Sequence, residues 1–231
     1  MNEKQIPTET KQQRIAVCGV RFSPNLGDGV ISDCLGWMIG HVVPRSQSVY
    51  VDLAGRTSFG EETISARRSK LRLLLSLPMP IQNVIVRAVL ERKIARTLRP
   101  HWSRELRDCQ AVLIGGGQLF SDADLNFPLK IEGLMTVIRE HDLRTAVYAC
   151  GVTCNQNAGA ELLSRCLGDP HVTAVYLRDK RSLETASVLA NLEATTKQAG
   201  HAFDPAVHVA HAYADQINGE KRFDVGVGFA D

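Results

Sequence analysis

IAVCGVRFSPNLGDGVISD, residues 15–33, is the stretch whose reading decides the fold. Ile15 to Val20 is a short apolar run between polar residues, the pattern of a strand buried on both faces. FSPNLGDG follows as a loop, and from Val30 to Ile39 apolar side chains recur at helical spacing. A strand, a glycine-rich turn and a helix, in that order, form the opening unit of a doubly wound α/β fold.

Downstream of this unit the same rhythm recurs. SVYVDL (48–53) reads as a second strand, and AVLIGGG (111–117) as a third that runs into glycines. Phe127 to Glu140 is a helix with Pro128 in its first turn, where a missing N–H costs nothing. TAVYACGV (145–152) is a strand, Ala158 to Leu167 a helix, VTAVYLRD (172–179) a strand and Lys180 to Leu192 a helix, followed by HAFDPAVHV. Strands alternating with helices of this length indicate βαβ units and a mainly parallel, Rossmann-like sheet.

Residues from about 62 to 108 break the rhythm with apolar stretches carrying many arginines. Pro78 and Pro80 split the apolar part, and Arg87 interrupts what remains, so neither piece is long enough to span a bilayer. The stretch is expected to form two amphipathic helices inserted into the sheet domain. Their basic face is either simply solvated or meets anionic lipid headgroups or a lipid-linked acceptor. The expected organisation is a polar tail at 1–13, a Rossmann-like domain at 14–212 and a linker at 213–222. FDVGVGFAD (223–231) then reads as the first strand of a second domain that is otherwise truncated.

Bulk properties are those of a soluble globular chain: 231 residues, 44% hydrophobic and 23% charged, with a formal net charge of +2. That charge demands no nucleic-acid partner, and none is expected. MNEKQIPTETKQQ, the first thirteen residues, lacks the apolar core of a secretory signal, which points to a cytoplasmic protein, peripheral to a membrane if the basic insertion touches one. The six cysteines do not form metal or redox pairs; Cys150 and Cys154 have three residues between them rather than two, and the cysteines are expected to be reduced structural thiols. The seven histidines show no HExxH spacing, so no metal is assigned.

Ligands of parallel α/β sheets bind beyond the carboxyl ends of the strands, which singles out four turns. After the first strand, Asn25, Gly27 and Asp28 lie where a tight turn meets a helix N-terminus; Asp28 either accepts a sugar hydroxyl or caps the helix. Gly115, Gly116 and Gly117 leave no side chain between backbone and ligand, whereas close helix–strand packing needs only one of them. Arg178 stands where the fifth strand leaves the sheet. Its planar fork suits a carboxylate or phosphate, or pairs with Asp179 to hold the loop. Asp204, before Pro205, begins a turn or contacts ligand. The glycines match neither GxGxxG nor a Walker motif, and there is no G-x-S-x-G elbow, so dinucleotide, NTPase and serine-hydrolase readings are weak.

Taken together, N-L-G-D-G-V-I-S-D (25–33), V-L-I-G-G-G-Q-L-F (112–120), V-Y-L-R-D-K-R-S-L (175–183) and F-D-P-A (203–206) resemble the polysaccharide pyruvyl transferase family. Leu177 stands where the family usually has valine in V-R-D-x-x-S. The resemblance implies a two-domain, glycosyltransferase-B-like architecture with its active site between the domains. It also implies transfer of the enolpyruvyl carbons of phosphoenolpyruvate to two hydroxyls of one sugar as a cyclic ketal, in exopolysaccharide or cell-surface polysaccharide synthesis. Phosphoenolpyruvate is then a substrate, no cofactor is needed, and the partner is a saccharide acceptor, free or lipid-linked. Arg178 and Asp28 are the best candidates here for anion contact and acceptor chemistry. The family's essential histidine and arginine belong to the C-terminal domain, and no histidine of this chain matches that position.

Two other readings stand beside this one: a non-catalytic remnant of the fold that binds a sugar or partner chain, and half of a nucleotide-sugar glycosyltransferase. If a second domain normally covers the ligand edge, the chain is expected to expose an apolar patch and to self-associate as a homo-oligomer.

Overall fold

The computed structural model describes residues 12–60, 79–155 and 158–217. Its framework is a six-stranded parallel sheet: β1 (Gln13–Gly19), β2 (Ser46–Asp52), β3 (Ala111–Gly115), then β5 (Arg144–Cys150), β7 (Val172–Leu177) and β8 (Gln198–His201). Two short strands, β4 (Phe120–Ser121) and β6 (Val152–Thr153), pair in parallel as a separate ribbon. Between the strands run α1 (Leu26–Val42), α2 (Met79–Lys93), α3 (Arg99–Leu106), α4 (Asn126–Glu140), α5 (Ala158–Gly168) and α6 (Lys180–Ala190). After β8 come a 3-10 turn (Pro205–His208) and two single-turn helices, α7 (Val209–Ala212) and α8 (Ala214–Ile217).

Along the sheet the order is β2-β1-β3-β5-β7-β8. The chain steps one way from β1 to β2 and the other way from β3 onward. Right-handed crossovers therefore put α1 on one face and α3 to α6 on the other. The core divides accordingly. Cys18, Val112, Ile114 and Val147 pack against Trp102, Ile131, Leu134 and Leu163 in a large cluster, whereas α1 contributes Leu35 and Ile39 to a small one with Val17. On the α1 face, Leu113, Ala146, Tyr148, Ala174 and Tyr176 are only half-buried.

Within the described residues the expected strands and helices of the sheet domain are present, with shifted ends. The expected strand at 145–152 is two elements, β5 and β6, because Ala149 takes a left-handed conformation at φ 53° and the β5–β7 register shifts between Tyr148 and Cys150. The helix expected at Lys180–Leu192 stops at Ala190, where Asn191 adopts a left-handed cap at φ 48°.

In the basic insertion, residues 61–78 lie outside the described residues. From Met79 to Leu106 the chain is one helical rod, α2 joined to α3 through a π-helical turn at Ile94–Leu98. Pro80 and Pro100 do not divide it, since each sits in the first turn of its helix. Ile94, Leu98, Trp102 and Leu106 anchor the rod, and the Trp102 indole donates to the Asp52 carbonyl at 3.2 Å. Gly133 of α4 is the point of closest approach, because a Cβ there would lie 2.6 Å from Ile94 Cγ2. Tyr213, at the start of the expected linker, hydrogen-bonds Asp33 of α1 at 2.6 Å; the expected strand at 223–231 lies outside the described residues.

Candidate active site

Because the strand order reverses between β1 and β3, their carboxyl ends splay and leave a crevice, the usual ligand position of such sheets. The loop after β1 forms one wall. Asn25 caps α1, its side chain accepting from the Gly27 amide at 3.1 Å. The capping role considered for Asp28 therefore falls to Asn25. Asp28 instead sits in the first turn of α1 and accepts a 2.5 Å bond from the Ser23 hydroxyl. Its other oxygen lies beside the glycine loop after β3, at 3.6 Å from where a Gly117 Cβ would stand.

That loop is the floor. Gly115 and Gly116 face α1: a Cβ on Gly115 would stand 2.6 Å from Leu35 Cδ1, and one on Gly116 would overlap Ile31. Helix–strand packing thus accounts for two of the three glycines rather than one. Gly116 and Gly117 also have φ values of 76° and 65°, a region that side chains disfavour, and Gly117 is the one left open toward Asp28.

The second wall is the end of β7. Arg178 donates through Nη2 to Gln118 Oε1 at 2.5 Å and through Nε to Asp179 Oδ2 at 3.4 Å. Gln118 in turn donates to Thr153 Oγ1 at 2.6 Å. Gly151 makes room for this arrangement, since a Cβ there would overlap Gln118 and come within 2.9 Å of Arg178 Cζ. The Arg178 side chain keeps 36% of its surface open, so it is held in place yet still accessible from the crevice. Beneath it, burial pushes the Cys150 thiol up to about 12, which leaves it a protonated core group rather than a nucleophile.

Asp179 is the N-cap of α6 and accepts from both the amide and the hydroxyl of Ser182, at 2.7 and 2.8 Å. Burial acts to raise its pKa, but these bonds and Arg178 outweigh burial and hold the carboxyl below its ordinary value. Ser182 accepts in turn from the Val152 amide at 3.0 Å, tying α6 to β6. His201 Nε2 lies 2.9 Å from the Arg178 carbonyl oxygen, which brings the end of β8 to the same edge.

Asp204 does not join the Arg178 group. It caps the turn at Pro205–His208, accepting from the Ala206 amide at 2.9 Å, and that turn packs on the α1 side. There Cys34 is raised to about 11, first by burial and then by the charges of Asp33 and Asp204.

Asp52, at the end of β2, occupies the place where an acidic residue reads a ribose in dinucleotide-binding sheets. Here it is fully buried and committed to the protein: it accepts from the Phe22 and Ala54 amides at 3.0 and 2.7 Å and from Arg56 Nε at 3.1 Å. Among the described residues no three His, Cys, Asp or Glu side chains converge as a metal site.

The structure therefore gathers Asn25, Gly27, Asp28, Gly117, Arg178 and Asp179 along one sheet edge. Gly115 and Gly116 lie beneath it as packing residues, and Asp204 is set apart. Gln118, Gly151, Thr153 and His201 belong to this edge and were missed. Gln118 had a signal, following directly on the glycines, whereas the others meet Arg178 only through strand pairing. Chemically the edge offers a positioned guanidinium for an oxyanion and a carboxylate beside bare backbone for a hydroxyl. The model of the family described as polysaccharide pyruvyl transferase matches residues 43–230. No curated protein matches the chain.

Proposed function

Because this chain belongs to the polysaccharide pyruvyl transferase family, we propose that it transfers the pyruvyl group of phosphoenolpyruvate to two hydroxyls of one sugar. The product is a cyclic ketal on a cell-surface or exported polysaccharide. The observation that carries this reading is Arg178: a guanidinium braced by Gln118 and Asp179 at the carboxyl edge of the sheet, accessible to a carboxylate or phosphate. The buried Asp52 weighs against the alternative nucleotide-sugar reading, because it is closed off from a ribose and already accepts three bonds from the protein.

In the proposed reaction the enol methylene carbon takes up a proton and two C–O bonds form at the neighbouring carbon. The C–O bond to phosphorus-bearing oxygen breaks, and inorganic phosphate leaves. One hydroxyl proton balances the carbon protonation and the other leaves with phosphate. Arg178 would neutralise charge on the donor as phosphate departs. Asp28, its position fixed by Ser23, would accept a proton from an attacking hydroxyl over the open Gly117 backbone. In the two-domain, glycosyltransferase-B-like arrangement proposed for the family member, a facing domain supplies the general acid and the remaining phosphate contacts.

Calorimetric titration of phosphoenolpyruvate into the chain tests this, with Arg178→Ala alongside and a uridine diphosphate sugar as comparison. Saturable phosphoenolpyruvate binding that the variant weakens by 10-fold or more is expected, since a charge-assisted contact contributes about 1.5–3 kcal/mol. Saturable binding of the nucleotide sugar, with none of phosphoenolpyruvate, would overturn the proposal.

A further inference from the structure

The N-terminal half of the inserted rod is not held as its C-terminal half is. From Ile94 onward each turn buries a large side chain, whereas in the preceding stretch from Val84 Leu90 is the one side chain that reaches the core. Val84, Val86 and Val89 stand 68%, 42% and 63% exposed. At 100° per residue, half-buried Ile85, exposed Val89 and Arg92 fall on the side of α2 opposite Leu90, with Lys93 beside them and Arg96 exposed in the π-helical turn that follows, whereas Val84 and Val86 line the cavity on the protein side. Arg92, Lys93 and Arg96 are all exposed. The only acid between Met79 and Leu98 is Glu91, and it is turned to the core-side flank, where it pairs with Arg87 at 2.8 Å. The outward face is thus apolar toward its start and uniformly cationic toward its end.

We infer that this face of α2 docks on an anionic membrane surface, with Val89 entering the headgroup boundary and Arg92, Lys93 and Arg96 meeting lipid phosphates. Charge complementarity selects this occupant, because a second copy would bring the same three cations against themselves. Among the described residues no helix is long and apolar enough to cross a membrane, so contact is along the surface. Docking there also orients the molecule. A cavity of about 490 Å³ opens between Val84 and Arg87 of α2 and Asp122, Asp124 and Leu125, which follow β4 at the carboxyl edge of the sheet. Resting on the acceptor reading above, the saccharide is one carried on a membrane lipid and presented at that opening.

Vesicle co-sedimentation of the full chain tests the inference, comparing phosphatidylglycerol–phosphatidylcholine vesicles with phosphatidylcholine alone. Binding to the anionic vesicles only is expected, and it should fall on raising salt from about 0.1 to 0.5 M. Arg92→Gln/Lys93→Gln/Arg96→Gln should lose about 100-fold in affinity, at roughly fivefold per cation. Val89→Ser should weaken binding while leaving the circular dichroism spectrum unchanged. Equal binding to neutral vesicles, or an unchanged triple variant, overturns the inference. So does self-association without lipid that the valine variant abolishes. Phosphoenolpyruvate titration of the same variants separates the two ideas: donor binding should be untouched, and its loss or absence would bear on the transferase reading alone.

Discussion

Arg178 and Asp179 are neighbours in sequence with separate tasks. The arginine faces the crevice, and the aspartate holds the start of α6 through Ser182, which itself holds β6. Removing the carboxylate in Asp179→Ala deletes a helix cap, which costs about 1–2 kcal/mol and is read as a lower urea midpoint with an unchanged slope. The pH dependence has a definite sign. The folded carboxyl titrates below its unfolded value, so its contribution is fully present above about pH 4 and is lost as pH falls through the lower folded value. The stability difference between wild type and Asp179→Ala should therefore narrow in acid, and a difference constant from pH 7 to pH 3 would show that the carboxylate's charge has no part in it. Asp179→Asn separates cap geometry from charge, since asparagine caps comparably.

At the scale of elements, Gly133 of α4 and Gly40 of α1 make opposite predictions. Alanine favours a helix interior by about 1 kcal/mol over glycine. Gly40 has no neighbouring atom within 4 Å of where a Cβ would stand, so Gly40→Ala should stabilise by about 0.5–1 kcal/mol. At Gly133 the new methyl would press on Ile94 Cγ2, a branch that cannot rotate away. Overpacking of about 1–3 kcal/mol exceeds the propensity gain, and Gly133→Ala should lower stability; Ile94→Ala in the same chain should recover part of the loss in a double-mutant cycle. The contrast also shows what could be read beforehand. Alternating strands and helices were legible from 15–33 and 111–201 because each apolar run carries its own period. Of the two helices expected in the basic insertion, the second falls on the rod at 79–106, which starts beside the prolines that set it off, and the first falls on residues outside those described. Arg178 was legible at its strand end, but the bonds that join it to Gln118 and Gln118 to Thr153 were not: they depend on β5 bulging at Ala149 and on which strands pair, and neither is written in any local pattern. Asp28 was legible as a loop carboxylate, but its partner Ser23 and its place beside Gly117 came only with the turn's geometry.

Across the whole molecule the six free thiols act as internal reporters of how the sheet's two faces come apart. Cys154 is half-exposed. Cys18, Cys109, Cys150 and Cys166 lie in the large cluster on the α3–α6 face, while Cys34 lies on α1, outside that cluster. Burial raises Cys34 to about 11 and Cys150 to about 12, and pushes Cys18 and Cys166 upward as well. Thiolate is the reacting form, so buried groups react only when the structure around them opens. The α1 face has the smaller core, and α1 should separate from the sheet at lower cost than the opposite layer. With an aromatic disulfide reagent at pH 8, one thiol per chain should react at once. A second, identified by mass as Cys34, should follow at an intermediate rate, and the remaining four should appear together at the rate of global unfolding. If Cys34 instead reacts with those four in one phase across a urea series, α1 and the opposite layer unfold as one cooperative unit, and the difference in core size between the faces does not govern how the domain opens.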